Sequence, residues 1–240
     1  MNRTFFGDTR DLFKYDLVRH VMKALPIVTS FTFIPMISKE AEPAGRTKSA
    51  AKDLQKALKA GRAGSQNKEL MIQMERLQEI DDDLAYFQAI KDYFLTENIL
   101  IDIIPDTPFT HKDRDDYFKS VLSHLPKKSL IFLDPDIGLE ESKPSKKHLL
   151  YAEVKTIADK MDPQSVLMIY QHFPRENHEG CVRRRCSELH RETGCCPISI
   201  TDNEVVFFFM VKNPRLRESL EDVLSRYANS YQFLESCRCE

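Results

Sequence analysis

Short apolar runs alternate along the chain with longer stretches whose apolar residues recur at helical spacing. The most informative run is Leu130 to Leu133, continuous, aromatic and β-branched, and short enough for a strand buried on both faces. It stops at Asp134-Pro135-Asp136-Ile137-Gly138, because proline cannot continue a ladder and glycine opens backbone angles that other residues resist. Ahead of it, Leu12, Phe13, Leu17, Val21 and Leu25 predict a helix capped by Asp8, with Asp11 near its positive end. Ile27 to Ile37, interrupted by Pro35, predicts the first strand, and Asn98 to Ile104 the next. One long helix is expected over Glu69 to Leu95, on a stripe that includes Leu77, Leu84, Phe87 and Ile90. Asp81-Asp82-Asp83 inside it reads as an exposed face, a new helix start or an acidic metal cluster.

Further helices are expected over 115–125, 147–161, 178–192 and 215–227, with a strand over 165–170. Strands over 196–201 and 204–211 form an antiparallel pair turning through Asp202 and Asn203. Together these predict one Rossmann-like α/β domain over 1–240, with a mostly parallel sheet and an antiparallel C-terminal strand pair. A helical, partly basic insertion over 38–95 interrupts it. There Lys48, Lys52, Lys56 and Lys59 share a helical stripe, either a solvated face or a phosphate-binding arm.

Composition narrows this picture only in places. A chain of 240 residues can bury its own core, and a net charge of −2 gives no global pull toward nucleic acid. No apolar run approaches the length of a membrane helix, and the first residues lack the long apolar core of a signal peptide. A cytoplasmic protein is therefore expected. All six cysteines follow residue 180, and free thiols in a reducing compartment are expected.

Four constellations carry candidate chemistry. Asp134 and Asp136 with Glu140 could hold Mg²⁺ or Mn²⁺ as a nuclease or phosphohydrolase does, or Asp134 alone could accept a hydrogen bond from a substrate amino group. The bland alternative is a strand-ending turn. His172, at the end of the neighbouring strand, would open on the same edge of a parallel sheet, or serve as a hydrogen-bonded loop histidine. Arg175, Arg183, Arg184, Arg185 and Arg191 could bind phosphates beside that edge. The histidines and cysteines between His172 and Cys196 lack a Cys-x-x-Cys pair, and no metal centre is expected of them.

The order of motifs resembles the bacterial ribosomal-RNA adenine-N6 methyltransferases of the RlmJ type, which share a Rossmann-like S-adenosylmethionine (SAM) fold. The family's Gly-Asn-x-Ala-Asp-x-x-Lys-His is matched by Gly7-Asp8-Thr9-Arg10-Asp11-Leu12-Phe13-Lys14-Tyr15. Its Asp-Pro-Pro-Tyr is matched by Asp134-Pro135-Asp136-Ile137, its Trp-Tyr-Pro by Tyr170-Gln171-His172-Phe173-Pro174-Arg175, and its Asn-Pro-Pro by Asn213-Pro214. The resemblance implies that Gly7, Asp11 and Lys14 lie near SAM, and that Asp134 and the Pro135 carbonyl receive an adenine amino group. It leaves three readings open: a nucleic-acid methyltransferase, the metal-dependent alternative, and a relative that uses the fold only to bind a partner.

Overall fold

A computed structural model describes residues 6–37, 50–105, 109, 113–174 and 176–238, with backbone alone at 50–52. Helix α1 (Thr9–Ala24) is capped by Asp8, whose carboxylate accepts the Arg10 and Asp11 N–H groups. Strand β1 (Ser30–Pro35) follows, then helices α2 (Ala50–Ala60), α3 (Lys68–Gln78) and α4 (Asp83–Thr96), strand β2 (Ile101–Ile103) and helix α5 (Arg114–Ser123). Strand β3 (Ser129–Asp134) leads through the two-residue strands β4 (Gly138–Leu139) and β5 (His148–Leu149) to helix α6 (Tyr151–Lys160). Strand β6 (Val166–His172), helix α7 (His178–Thr193), strands β7 (Ile198–Thr201) and β8 (Val205–Val211), helix α8 (Pro214–Asn229) and strand β9 (Glu235–Arg238) complete the described chain.

Seven strands form one sheet in the order β2-β1-β3-β6-β8-β7-β9. The first four are parallel; β8 runs antiparallel to β6, and β7 pairs antiparallel with both β8 and β9. The expected α/β class and mostly parallel sheet are therefore present. Alternation along each strand sorts the core into two layers. Leu130 and Phe132 of β3, with Val205, Phe207 and Phe209 of β8, face the layer built from α1, α3, α4 and α8. Ile131 and Leu133, with Val206, Phe208 and Met210, face α5, α6 and α7.

The helix expected over 69–95 is two helices. Asp82 caps the second by accepting the Ala85 N–H at 2.8 Å, and the break shifts the phase of the apolar stripe. Leu84, expected inside, is 61% exposed, while Tyr86 is buried. Helices α2 to α4 lie between β1 and β2, and Leu54, Leu70, Met74, Ile90 and Phe94 join the same core as α1 and α8. Residues 38–49 of the expected insertion, and the Lys52 side chain, lie outside the described residues. Strand β9 is not expected from its polar sequence; it is held by the ladder to β7.

The expectation of six free thiols needs correction. Cys186 is disulfide-bonded, whereas Cys181, Cys195, Cys196 and Cys237 are free. The chain after α8 returns to the sheet as β9, so Cys237 lines the same groove as Cys186. The reducing-compartment expectation loses its main support. Among the described residues, no helix is long and apolar enough to cross a membrane.

Candidate active site

After β1 the chain runs to β2 on one side and later returns to β3 on the other. Parallel α/β sheets bind ligands where the strand order reverses in this way, outside the carboxyl ends of the strands. The register places Pro35 of β1 opposite Asp134 of β3, so Asp134 ends its strand at the switch point. It is 1% exposed.

Helix α1 begins near this edge and carries Lys14 to it. The Lys14 ammonium donates to Asp11 Oδ1 at 2.7 Å and to Asp134 Oδ2 at 2.9 Å, a buried centre joining residues 120 positions apart. Asp11 is held in turn by its other oxygen, which accepts the Gly7 N–H at 2.9 Å and the Tyr86 hydroxyl at 3.1 Å. Tyr86 shares a 2.6 Å hydrogen bond with Tyr15 and stacks on Phe6. The rings of Tyr170, Tyr15 and Phe132 lie 5.4, 5.6 and 5.9 Å from the ammonium, within cation–π range.

Burial alone would lower the Lys14 pKa, but Asp11 and Asp134 outweigh it and hold the ammonium well above its ordinary value. Burial raises the Asp134 pKa, and Lys14 offsets only part of that rise. Two buried carboxylates thus face one buried ammonium.

Asp8 adds a third carboxyl. Burial, followed by the nearby Asp11, pushes it up to about 7, against the backbone hydrogen bond from Asp11 and the charges of Arg10 and Lys14. The folded chain therefore binds this proton more tightly than the unfolded chain. Stability from this group is present near pH 4 and is lost as pH rises to about 7. Asparagine caps helices as well as aspartate. Asp8→Asn is accordingly expected to flatten the pH dependence of urea unfolding between those values and to be more stable than the parent at pH 8. A parallel pair of stability curves would refute the assignment.

The other expected site residues scatter. Pro135 is buried beside Asp134. Asp136 pairs with Lys147 at 3.1 Å, and Glu140 accepts the Tyr151 N–H at 2.9 Å at the start of α6. Asp134, Asp136 and Glu140 are thus engaged by three different partners. Among the described residues, no group of three or more His, Cys, Asp or Glu side chains could hold a metal ion. His172 is at the same sheet edge, its N–H donating to the Ile137 carbonyl at 3.0 Å, which ties β6 to the loop after β3. Its Nδ1 is buried without a hydrogen-bond partner among the described residues. Burial, then Arg10, lowers its pKa.

Gly7, with both backbone groups engaged, serves first as an anchor. Its N–H holds Asp11 and its carbonyl accepts the Gln78 amide at 2.8 Å. Of the expected basic set, Arg185 is buried, donating to the Glu140 carbonyl at 2.6 Å, Tyr151 Oη at 2.9 Å and Glu188 at 3.0 Å. It braces the loop after β4, its guanidinium committed to these protein partners. Its place on the buried face was readable, since Cys181, Arg185 and Leu189 recur every four residues. Arg183 is exposed and pairs with Glu179, while Arg184 pairs with Glu176 and Glu188. Lys56 is exposed and pairs with Asp53 at 3.3 Å. Arg175 lies outside the described residues.

Tyr86 belongs to the centre but had no distinguishing sequence signal, because it reads as an ordinary core aromatic; Tyr15 and Tyr170 lie within the matched motifs but are not singled out as members of the centre. No protein-family model matches the chain, and no curated protein matches it either, so the site's own geometry carries the functional reading.

Proposed function

We propose that the chain is a methyltransferase-like protein that acts on nucleic acid, with Asp134 receiving an amino group of the target base. The observation that carries this reading is the position of Asp134 at the β1–β3 switch point, held by Lys14. Adenine N6 is the target implied by the resemblance to the ribosomal-RNA methyltransferases. Lys14 occupies Oδ2, and Oδ1 is the oxygen assigned to the substrate amino N–H. The ammonium opposes the rise that burial imposes on Asp134 and so favours the ionised carboxylate, the form that only accepts. Accepting that N–H, with the Pro135 carbonyl taking the second, leaves more electron density on the nitrogen; its bond to the methyl carbon would form as the methyl–sulfur bond breaks, and the surplus N–H proton would then pass to solvent.

SAM is assigned to this centre because two buried carboxylates face one ammonium, an excess of negative charge that favours a cationic ligand beside them. The rings of Tyr15, Phe132 and Tyr170 already face the Lys14 ammonium. Asp11 and Lys14 are the described residues assigned to the cofactor side of the site, with Gly7 fixing Asp11. When bound, SAM supplies the electrophilic methyl group. Asp136 is drawn toward Lys147, which favours this reading over the metal-dependent one.

Calorimetry with SAM tests the reading. The expected result is saturable binding at one site per chain, unaffected by chelator. Absence of SAM binding by a folded chain would overturn it.

A further inference from the structure

A groove of about 730 Å³ lies between α7 and the β7–β9 side of the sheet, outside the centre described above. We infer that it takes a base of the nucleic-acid strand flanking the target nucleotide. This rests on the proposed action on nucleic acid and adds where the rest of the substrate strand lies.

Its position comes from the register. His172 pairs with Val205 and Thr201 with Val206, which sets the β7–β8 turn at the same sheet edge as Asp134. From β3 across β6 and β8 to β7 is three interstrand steps, or roughly 14 Å. Ser199 and Thr201 alternate with Ile198 and Ile200, so the groove opens on the α7 face, whereas Lys14 meets Asp134 on the α1 face. A strand whose target base reaches Asp134 lays a nearby nucleotide in the groove by passing over the sheet edge between them.

Its chemistry comes from Phe173 and His178. Their rings stack with centroids 4.0 Å apart and planes 8° apart. Phe173 is buried and His178 half-buried, so the imidazole is the accessible face of the pair. A flat π-face is what every base can use, whatever its sequence. Arg183 and Arg238 line the same groove. Arg183 and Glu179, 2.7 Å apart, form an exposed pair of the kind that contributes little and exchanges readily for a phosphate oxygen, and the exposed Arg238 lies 3.6 Å from a Glu221 that Arg217 already holds. Glu179 and Glu235 also line it, so the groove is close to neutral. Stacking, more than counterion release, supplies the affinity.

The test uses the full chain and fluorescently labelled single-stranded RNA and DNA of mixed sequence, read by anisotropy. His178→Ala is expected to weaken binding about 5- to 150-fold, with His178→Phe restoring it and SAM affinity unchanged in both. Replacing Arg183 and Arg238 by alanine is expected to flatten the log–log salt slope by about 0.7 for each phosphate that is no longer neutralised. Oligonucleotide binding equal in His178→Ala and the parent would overturn the groove while leaving the Asp134 reading intact. Failure of the parent to bind SAM would instead remove the reading beneath it. His178-dependent capture of a mixed-sequence peptide pool, with no oligonucleotide binding, would assign the groove to a protein partner and overturn the inference.

Discussion

Lys14→Met is expected to lower the unfolding free energy by about 3–5 kcal/mol at neutral pH, the cost of leaving a buried charge without its partner. Methionine fills much of the lysine's volume, so packing accounts for little of this. What remains is Asp11 and Asp134 facing one another in a buried site, where Lys14 now lies 2.7 and 2.9 Å from them. The deficit should depend on pH, and its sign is fixed. Burial already raises the Asp134 pKa in the folded chain, and removing Lys14 takes away the largest opposing influence. A carboxyl with a raised folded-state pKa costs stability above that pKa, and the cost disappears as pH falls toward the unfolded value. Urea unfolding at pH 5 and pH 8 should therefore show a smaller deficit at pH 5. An equal deficit at both would mean that packing alone accounts for the change.

Gly7→Ala is expected to cost about 3 kcal/mol or more, through a separate mechanism. Gly7 has φ +73°, and a Cβ there would lie 2.3 Å from the Met74 carbonyl oxygen and 3.1 Å from Gln78 Cγ. The obstacle is backbone of α3, which cannot rotate aside, so the turn before α1 must move and release Asp11. Gly61 supplies the control: its φ is +63°, but a Cβ there meets nothing within 4 Å. Gly61→Ala should lose only about 1–2 kcal/mol from the left-handed backbone. Equal thermal shifts for the two variants would show that the close approach to α3 contributes nothing.

The alternation of strands with helices and the antiparallel C-terminal pair follow from patterns that can be counted along the sequence, whereas the order of strands across the sheet does not. Leu130 to Leu133 and Val205 to Val211 are apolar at every position because both faces of the sheet are covered. Asp134 was legible for a related reason, since a carboxylate directly after such a run must sit at a sheet edge. Asp11 and Lys14 were reachable only through resemblance. Spacing within α1 relates them to each other but says nothing of a partner 120 residues away.

The remaining differences have particular causes. Arg185 reads as one of three candidate phosphate-binding arginines until its four-residue spacing with Cys181 and Leu189 is noticed, and burial then changes its role. Leu84 reads as core only when one period is extended through a helix break, where the Asp82 cap resets the phase. Strand β9 escapes a pattern-based reading because an edge strand needs no apolar alternation when its ladder to β7 supplies the hydrogen bonds.

The most direct measurement is transfer of labelled methyl from SAM to adenine-containing RNA and DNA, comparing the parent with Asp134→Ala. The variant must first be shown by calorimetry to bind SAM and by thermal melting to be folded. The expected result is transfer by the parent and a loss of at least about 100-fold in the variant, the scale on which positioned polar groups act at a reacting centre. Equal transfer by a folded, SAM-binding Asp134→Ala chain would contradict the placement of the reaction at the β1–β3 switch point.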